Sequence, residues 1–99
     1  MSYQVGFVPR AADDLQRLLD FLAEQDLPAA EHARAAIPQA ISLLQSFPFA
    51  CRKALPVNPF LRELVIEFGR SGYVALYEIE ASETVTVLAV RHLREEDFF

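Results

Sequence analysis

The chain has 99 residues, of which 53% are hydrophobic and 23% charged, and its formal net charge is −5. This length suits one domain that buries roughly 60–68% of its unfolded surface, and the composition excludes intrinsic disorder and low-complexity sequence. The acidic balance argues against strong binding to a nucleic-acid backbone, whose affinity comes from many basic side chains, and favours a protein partner.

The N-terminal half predicts a strand and two helices. Alternating apolar residues indicate a short strand at residues 3–8. Leucines at helical spacing then predict a helix over residues 9–25, since proline is tolerated in the first turn of a helix. A second helix opens at Pro28 and forms an antiparallel hairpin with the first, and Pro38 is expected to kink it or to break it near Ala36.

The C-terminal half predicts three strands joined by tight turns. Residues 47–60 contain three prolines and no clear period, which indicates a connecting loop whose phenylalanines lie against the core. Alternation indicates strands at residues 63–68, 73–80 and 84–91, the last of them apolar on both faces, as in the middle of a sheet. Gly69 and Gly72 are both available for positive φ in the first turn.

The order of these elements predicts an α+β fold, β-α-α-β-β-β, in which an antiparallel sheet packs against a helical hairpin. The sequence shows no linker or repeat, so residues 1–99 are expected to form one domain.

Localisation and cofactors are predicted from absences in the sequence. Charges interrupt every apolar run before it reaches the roughly 18–20 residues of a membrane span, and the first five residues do not resemble a signal peptide. Cys51 stands alone, so neither a disulfide nor a thiolate metal cluster is expected. We therefore expect a cytoplasmic protein with no membrane association, no metal and no cofactor.

One cluster of charged residues in the sheet half can carry chemistry. Its members are Arg62, Glu63, Arg70, Arg91, His92 and Arg94. Arg91 and His92 end the last predicted strand on opposite faces. His92 could act as a general base, because neighbouring cations disfavour its charged form. In the structural alternative, Arg62 and Glu63 form pairs across strands, Arg70 caps a turn, and the histidine is a satisfied surface residue.

Three segments around this cluster resemble a known family in their order along the chain. They are residues 61–66 (LRELVI), 69–77 (GRSGYVALY) and 87–95 (VLAVRHLRE). Together with the helical hairpin and the Ser-Phe-Pro at residues 46–48, they look like the RelE/ParE toxins of bacterial type II toxin–antitoxin systems. The resemblance implies a toxin held inactive by a cognate antitoxin in a hetero-oligomer.

In this family the antitoxin wraps the toxin, covering the helical hairpin and an edge of the sheet. The resemblance therefore implies that the antitoxin contacts apolar residues of the hairpin. These are Leu15, Leu18, Leu22, Ile41 and Leu44.

RelE-like members of the family cleave mRNA on the ribosome, using basic side chains and a tyrosine. When the sequences are registered on the pair Gly72–Tyr73, none of the required groups survives. Their positions hold Val65, Glu67, Val74, Leu93 and Phe99.

A different ribonuclease branch uses a Glu, an Arg and a His, and its pattern could be met by this chain. Glu63 or Glu67 would be the base, Arg70 would hold the scissile phosphate, and His92 would be the acid. This alternative requires the three groups to converge on one face of the sheet.

The resemblance favours the ParE-like branch, whose members inhibit DNA gyrase by binding it. The expected target contacts are the basic and aromatic residues of the sheet half. These are Arg70, Arg91, His92, Arg94, Phe98 and Phe99. For the two terminal phenylalanines the alternative is packing against the chain's own helices. The ribonuclease, and an inactive remnant that only binds antitoxin, stay open as alternative functions.

Overall fold

A computed structural model of the protein describes residues 2–95. Its elements are β1 (Gln4–Phe7), α1 (Pro9–Gln25), α2 (Leu27–Ser46), a 3₁₀ turn (Pro48–Ala50), β2 (Arg52–Leu55), β3 (Asn58–Phe68), β4 (Ser71–Glu80) and β5 (Thr84–His92). The strands form one sheet in the order β1-β5-β4-β3-β2, and residues of both helices share a core with one of its faces. The predicted α+β architecture is confirmed.

The two helices are joined by a single residue. The backbone N–H of Asp26 donates to the carbonyl oxygen of Leu22, which ends α1. The Asp26 carboxylate then accepts a hydrogen bond from the backbone N–H of Ala29 at 3.1 Å, which caps the start of α2. Asp26 is therefore both the C-cap of α1 and the N-cap of α2.

Helix α2 runs without interruption through Pro38, so the predicted break near Ala36 is wrong. Packing explains why the helix continues. Ala33 and Leu44 are fully buried in the core on either side of the proline, whose own side chain is exposed. The free energy gained by burying this face of the helix is larger than the free energy lost with the one backbone hydrogen bond that proline cannot donate.

The segment predicted as a loop carries regular structure, so that prediction is wrong. It contains the 3₁₀ turn, β2 and the start of β3, and β2 pairs antiparallel with β3 from Arg52–Glu63 to Leu55–Asn58. Pro59 is tolerated because the pairing of β3 with β4 begins only at Leu61.

The sheet contains one parallel pair among antiparallel ones. β1 runs parallel to β5, with Gln4 beside Thr84 and Phe7 beside Val87, whereas β3, β4 and β5 form an antiparallel meander. β5 therefore lies between two strands, as its apolar character on both faces predicts.

The turn between β3 and β4 uses its two glycines differently from the prediction. Gly69 has φ of 65°, as expected. Gly72 instead lies in β4, where a Cβ atom would stand 2.8 Å from the carbonyl oxygen of Ile66. The second glycine is therefore needed for close backbone approach and not for positive φ.

Two buried tyrosines stand in β4, on the face that packs against the helices. The Tyr77 hydroxyl donates to the carbonyl oxygen of Pro48 at 2.6 Å, which ties the 3₁₀ turn to the sheet. The Tyr73 hydroxyl has no hydrogen-bond partner among residues 2–95. Burial raises the pKa of both phenols, and the neighbouring Cys51 thiol adds to the rise at Tyr77.

No helix within residues 2–95 is long and apolar enough to cross a membrane.

Candidate functional site

The pairing of the strands decides which of the predicted site residues can meet. In β3, Leu64 and Ile66 belong to the core under the helices, so Glu63 and Glu67 point to the other side, here called the outer face. In β5, Arg91 pairs with Val74 on the outer face, whereas His92 pairs with Tyr73 on the helix side.

Glu63 lies at the centre of a row of ion pairs on the outer face. Its carboxylate accepts a hydrogen bond from Arg52 Nε at 2.9 Å and lies 3.7 Å from a terminal nitrogen of Arg91. The side chains of Glu63 and Arg91 are only 15% and 11% exposed. Such shielding makes the interaction stronger than that of a fully exposed pair.

Arg91 also holds the turn that follows β5. Its guanidinium donates to the backbone carbonyl oxygens of residues 92, 93 and 95. The side chain therefore ties this turn to the sheet, and its donors face the protein's own backbone and Glu63. This leaves Arg91 little surface for a partner.

Both ring nitrogens of His92 are engaged. Nδ1 accepts a hydrogen bond from the backbone N–H of Arg94 at 3.0 Å, and Nε2 lies 2.8 Å from the hydroxyl oxygen of Ser71. Because a backbone N–H can only donate, the proton of the neutral ring is on Nε2, which donates to the serine. His92 thus fixes the end of β5 against the start of β4.

Arg70 and Arg94 are exposed and lie at the same end of the sheet as His92. Arg70 is in the tight turn between β3 and β4, and Arg94 is in the turn after β5, whose Leu93 N–H donates to the carbonyl oxygen of Gly72. Neither guanidinium forms a hydrogen bond or ion pair within residues 2–95. Phe98 and Phe99 lie outside the described residues.

The structure does not bring together the groups that the Glu/Arg/His alternative requires. The carboxylates of Glu63 and Glu67 are on the outer face, whereas His92 is on the helix side and has both nitrogens occupied. The condition of convergence on one face of the sheet is therefore not met by residues 2–95.

Of the two cross-strand pairs in the structural alternative, that of Glu63 is confirmed by its ion pair with Arg52 of β2, whereas Arg62 forms no ion pair among residues 2–95. Arg62 instead donates to the carbonyl oxygens of Phe49, Cys51 and Pro59 and so holds the 3₁₀ turn in place. Its role is structural.

Two of the leucines assigned to antitoxin binding are in the core. Leu18 is 9% exposed and Leu44 is fully buried, so the structure does not offer them to a partner. Helical spacing shows which face of a helix is apolar but not whether the sheet already covers it. Leu15, Leu22 and Ile41 are half-buried and border the surface.

The sequence reasoning missed an exposed apolar surface at the other end of the sheet. Its phenylalanines were expected against the core, yet they are 45–63% exposed. The residues of this surface are Phe47, Phe49, Leu55, Val57 and Phe60. No periodic pattern marks them, and the density of apolar residues in an irregular segment is the one signal that could have indicated them.

A second candidate surface is the outer edge of β3. β2 pairs with β3 only as far as Glu63, so residues 64–68 have no strand beside them on that side. A cleft of about 230 Å³ lies between this edge and α2, lined on the helix by Ala36, Ala40 and Leu43. An open edge next to an apolar cleft is a surface to which an extended segment of a partner can bind.

Comparison with known proteins identifies the class of molecule to which this fold belongs. Residues 5–97 match the family described as the ParE toxin of the type II toxin–antitoxin system, parDE. "Toxin RelE1" of Caulobacter vibrioides is 33% identical over 96 residues, a match that covers 97% of this chain and 99% of that protein.

The fold is also similar to a solved structure described as "Chromosomal ParDE TA system from P. aeruginosa". The TM-score is 0.64 at 17% sequence identity, and the match covers 94% of this chain and 98% of the other. The chain belongs to the ParE/RelE family of type II toxin–antitoxin toxins. The family implies an antitoxin as partner.

Proposed function

We propose that this toxin acts in the cytoplasm by binding DNA gyrase and stopping it from resealing DNA, without chemistry of its own. One observation carries the proposal. His92, the histidine that RNA cleavage would need, has both nitrogens bound within the protein and lies across the sheet from Glu63 and Glu67. General acid–base catalysis needs a proton-transfer group free to reach its substrate. The net charge of −5 also disfavours ribosomal RNA as the target.

Within this proposal, Arg70 and Arg94 are the target contacts that the described residues support best. Both guanidinium groups are exposed at one end of the sheet, where acidic groups of a partner can approach them. Arg91 and His92 act as positioning residues, because they hold the turn that carries Arg94. Phe98 and Phe99, outside the described residues, stay proposed as an anchor for the target.

We further propose that the antitoxin binds along α2 and the outer edge of β3, with half-buried Leu15, Leu22 and Ile41 of the hairpin as additional contacts. Support comes from the side of residues 64–68 that faces away from β4, where no strand pairs with them, and from the apolar cleft beside it. A strand added there would pair with β3 beyond Glu63, the residue that faces the first residue of β2.

A plasmid supercoiling assay with purified gyrase and the toxin freed of antitoxin tests the proposal. We expect loss of supercoiling and accumulation of linear, protein-linked DNA. The double variant Arg70→Ala/Arg94→Ala should inhibit about tenfold less, since two exposed charges each contribute roughly 0.7 kcal/mol to an interface. Arg34→Ala, which removes an exposed arginine from α2, is the matched control.

Unaltered supercoiling by a folded toxin that still arrests growth would contradict gyrase as the target. Ribosome-dependent mRNA cleavage by the same preparation is then the next measurement. A folded toxin that affects neither growth nor supercoiling would identify the chain as an inactive, antitoxin-binding remnant.

A further inference from the structure

An aromatic pocket lies at the end of the sheet opposite Arg70 and His92. Its volume is about 320 Å³. Its walls are the rings of Tyr3, Phe49 and Phe60, and Ile79 of β4 lies at its base. Ile79 is 6% exposed, whereas Phe49 and Phe60 are 45% and 48% exposed, so the pocket has a buried base and an open aromatic rim.

The walls of the aromatic pocket are fixed in place. The ring centroids of Phe49 and Phe60 are 6.0 Å apart in an edge-to-face contact. The 3₁₀ turn that carries Phe49 is held by Tyr77 and by Arg62, and the backbone N–H of Tyr3 donates to Gln45 at 2.8 Å. A site that is already ordered loses little conformational entropy when it binds.

The charge around the aromatic pocket is negative. Glu80 and Glu83 border it, and no basic side chain among residues 2–95 lines it. The Glu80 carboxylate accepts a hydrogen bond from the Thr86 hydroxyl, whereas the Glu83 carboxylate has no such partner within those residues. Arg62 lies 5.4 Å from the Phe49 ring, but it donates its hydrogen bonds to backbone carbonyl oxygens.

We propose that the aromatic pocket is a docking site for a basic segment of a partner protein. The segment places one large apolar or aromatic side chain in the pocket, over Ile79 and against the rings of Tyr3, Phe49 and Phe60, and a Lys or Arg beside Glu83. Two features support this occupant. The exposed rings favour an apolar anchor, and the Glu83 carboxylate, which has no partner among residues 2–95, matches a positive charge.

The neighbouring apolar residues extend this surface. Phe47, Leu55 and Val57 are 63%, 51% and 90% exposed beside the pocket's walls in the chain, so a partner segment longer than its anchor can continue onto them. The proposed gyrase contacts Arg70 and Arg94 are at the other end of the sheet. The docking site therefore does not depend on gyrase being the target.

The test is a titration of the ¹⁵N-labelled full chain with tryptamine, followed by NMR. Tryptamine joins an indole ring to an ammonium group, and indole-3-propionate, with the same ring and a carboxylate, is the matched probe. We expect saturable shift changes at the amides of Tyr3, Phe60 and Glu83, with tryptamine binding about threefold or more tighter than indole-3-propionate.

Two pairs of variants separate the ring from the charge. Phe60→Ala should weaken tryptamine about fivefold, whereas Phe21→Ala, which removes a 63% exposed phenylalanine from α1, should leave it unchanged. Glu83→Lys should abolish the preference for tryptamine, whereas Glu31→Lys on α2 should not.

Several outcomes would overturn the proposal. They are the absence of saturable shifts at these amides, equal or tighter binding of indole-3-propionate to the native chain, or a preference for tryptamine that survives Glu83→Lys. Because Glu83 is exposed in a turn, its variant keeps the test valid even if Phe60→Ala fails to fold. The supercoiling assay is independent of each of these results.

Discussion

The two buried tyrosines of β4 differ in one hydrogen bond, and this difference determines how much each hydroxyl contributes to stability. Tyr77 and Tyr73 are 0% and 1% exposed, and both pack under the helices. Only the Tyr77 hydroxyl has a partner within the described residues, the carbonyl oxygen of Pro48. The two phenols therefore differ in what their removal leaves behind.

Tyr77→Phe should lower the free energy of unfolding by about 1–2 kcal/mol, because it leaves the Pro48 carbonyl oxygen without its donor. Tyr73→Phe should change it by less than about 0.5 kcal/mol or raise it slightly, since it removes a buried hydroxyl that has no partner. Urea unfolding of the two variants measures both values. If both variants lost the same free energy of unfolding, the hydrogen bond to Pro48 would make no net contribution to stability.

The placement of Arg91 and His92 on the faces of the sheet was predicted in part. Strict alternation places Arg91 and His92 on opposite faces, as the structure confirms. It cannot say which residue takes which face, because β5 contains a bulge. Leu76 pairs with Ala89 and Tyr77 with Val87, so Leu88 is an extra residue and shifts the alternation beyond it.

The bulge determines the chemistry of this end of the sheet. With unbroken alternation from Val87, Arg91 would point toward the helices, and it could not reach Glu63. Beside the bulge, Asp14 of α1 accepts a hydrogen bond from the backbone N–H of Val90 at 3.0 Å. The partner of that N–H comes from 76 residues earlier in the chain, which local sequence patterns do not reveal.

Among the secondary-structure elements, α2 contains a residue that destabilises its own helix. Pro38 lies inside the helix and cannot donate the hydrogen bond to residue 34. Pro28, by contrast, lies in the first turn of the same helix, where its missing N–H has no cost.

Pro38→Ala should raise the free energy of unfolding by about 1–2 kcal/mol. The regained hydrogen bond outweighs the extra freedom that the unfolded chain gains without proline. Pro28→Ala is the control and should be neutral or slightly destabilising. Thermal unfolding followed by circular dichroism measures both. A destabilised Pro38→Ala would mean that the helix geometry at this point is needed for packing against the sheet.

The elements with a clear hydrophobic period were predicted most accurately. The bounds of α1 were predicted to the residue, and β4 and β5 to within two residues, because a leucine stripe and long apolar alternations define them. β2 was missed because it is a four-residue edge strand with no buried residue, and Pro56 and Pro59 follow it closely. Its pairing partner, rather than its own sequence, makes it a strand.

For the molecule as a whole, the buried phenols set its response to alkaline pH. Burial raises the pKa of Tyr73 and Tyr77 above their usual value near 10. Above about pH 10 the unfolded chain loses phenolic protons that the folded chain keeps. Stability from this source is complete below that pH and is lost as the pH rises toward the folded pKa values.

We therefore expect the free energy of unfolding to fall between about pH 8 and pH 11, by up to roughly 1.4 kcal/mol for Tyr77 and by a further contribution from Tyr73. Tyr73→Phe should remove part of this decline, while near pH 8 it should change the free energy of unfolding by less than about 0.5 kcal/mol or raise it slightly. Urea titrations at the two pH values measure the difference. A decline that is the same in the variant and the native chain would contradict the assignment to Tyr73.

The parallel pairing of β1 with β5 also determines when the sheet can be completed during translation. Gln4 finds its neighbour Thr84 eighty positions later in the chain, and ribosomes add about 5–20 residues per second. The first strand therefore waits roughly 4–16 s for the strand that receives it. During this interval the nascent chain can form its helical hairpin from local contacts, but not its finished sheet. The complete fold can therefore form only after β5 has been synthesised. In a chain truncated before β5, β1 lacks the strand with which it pairs.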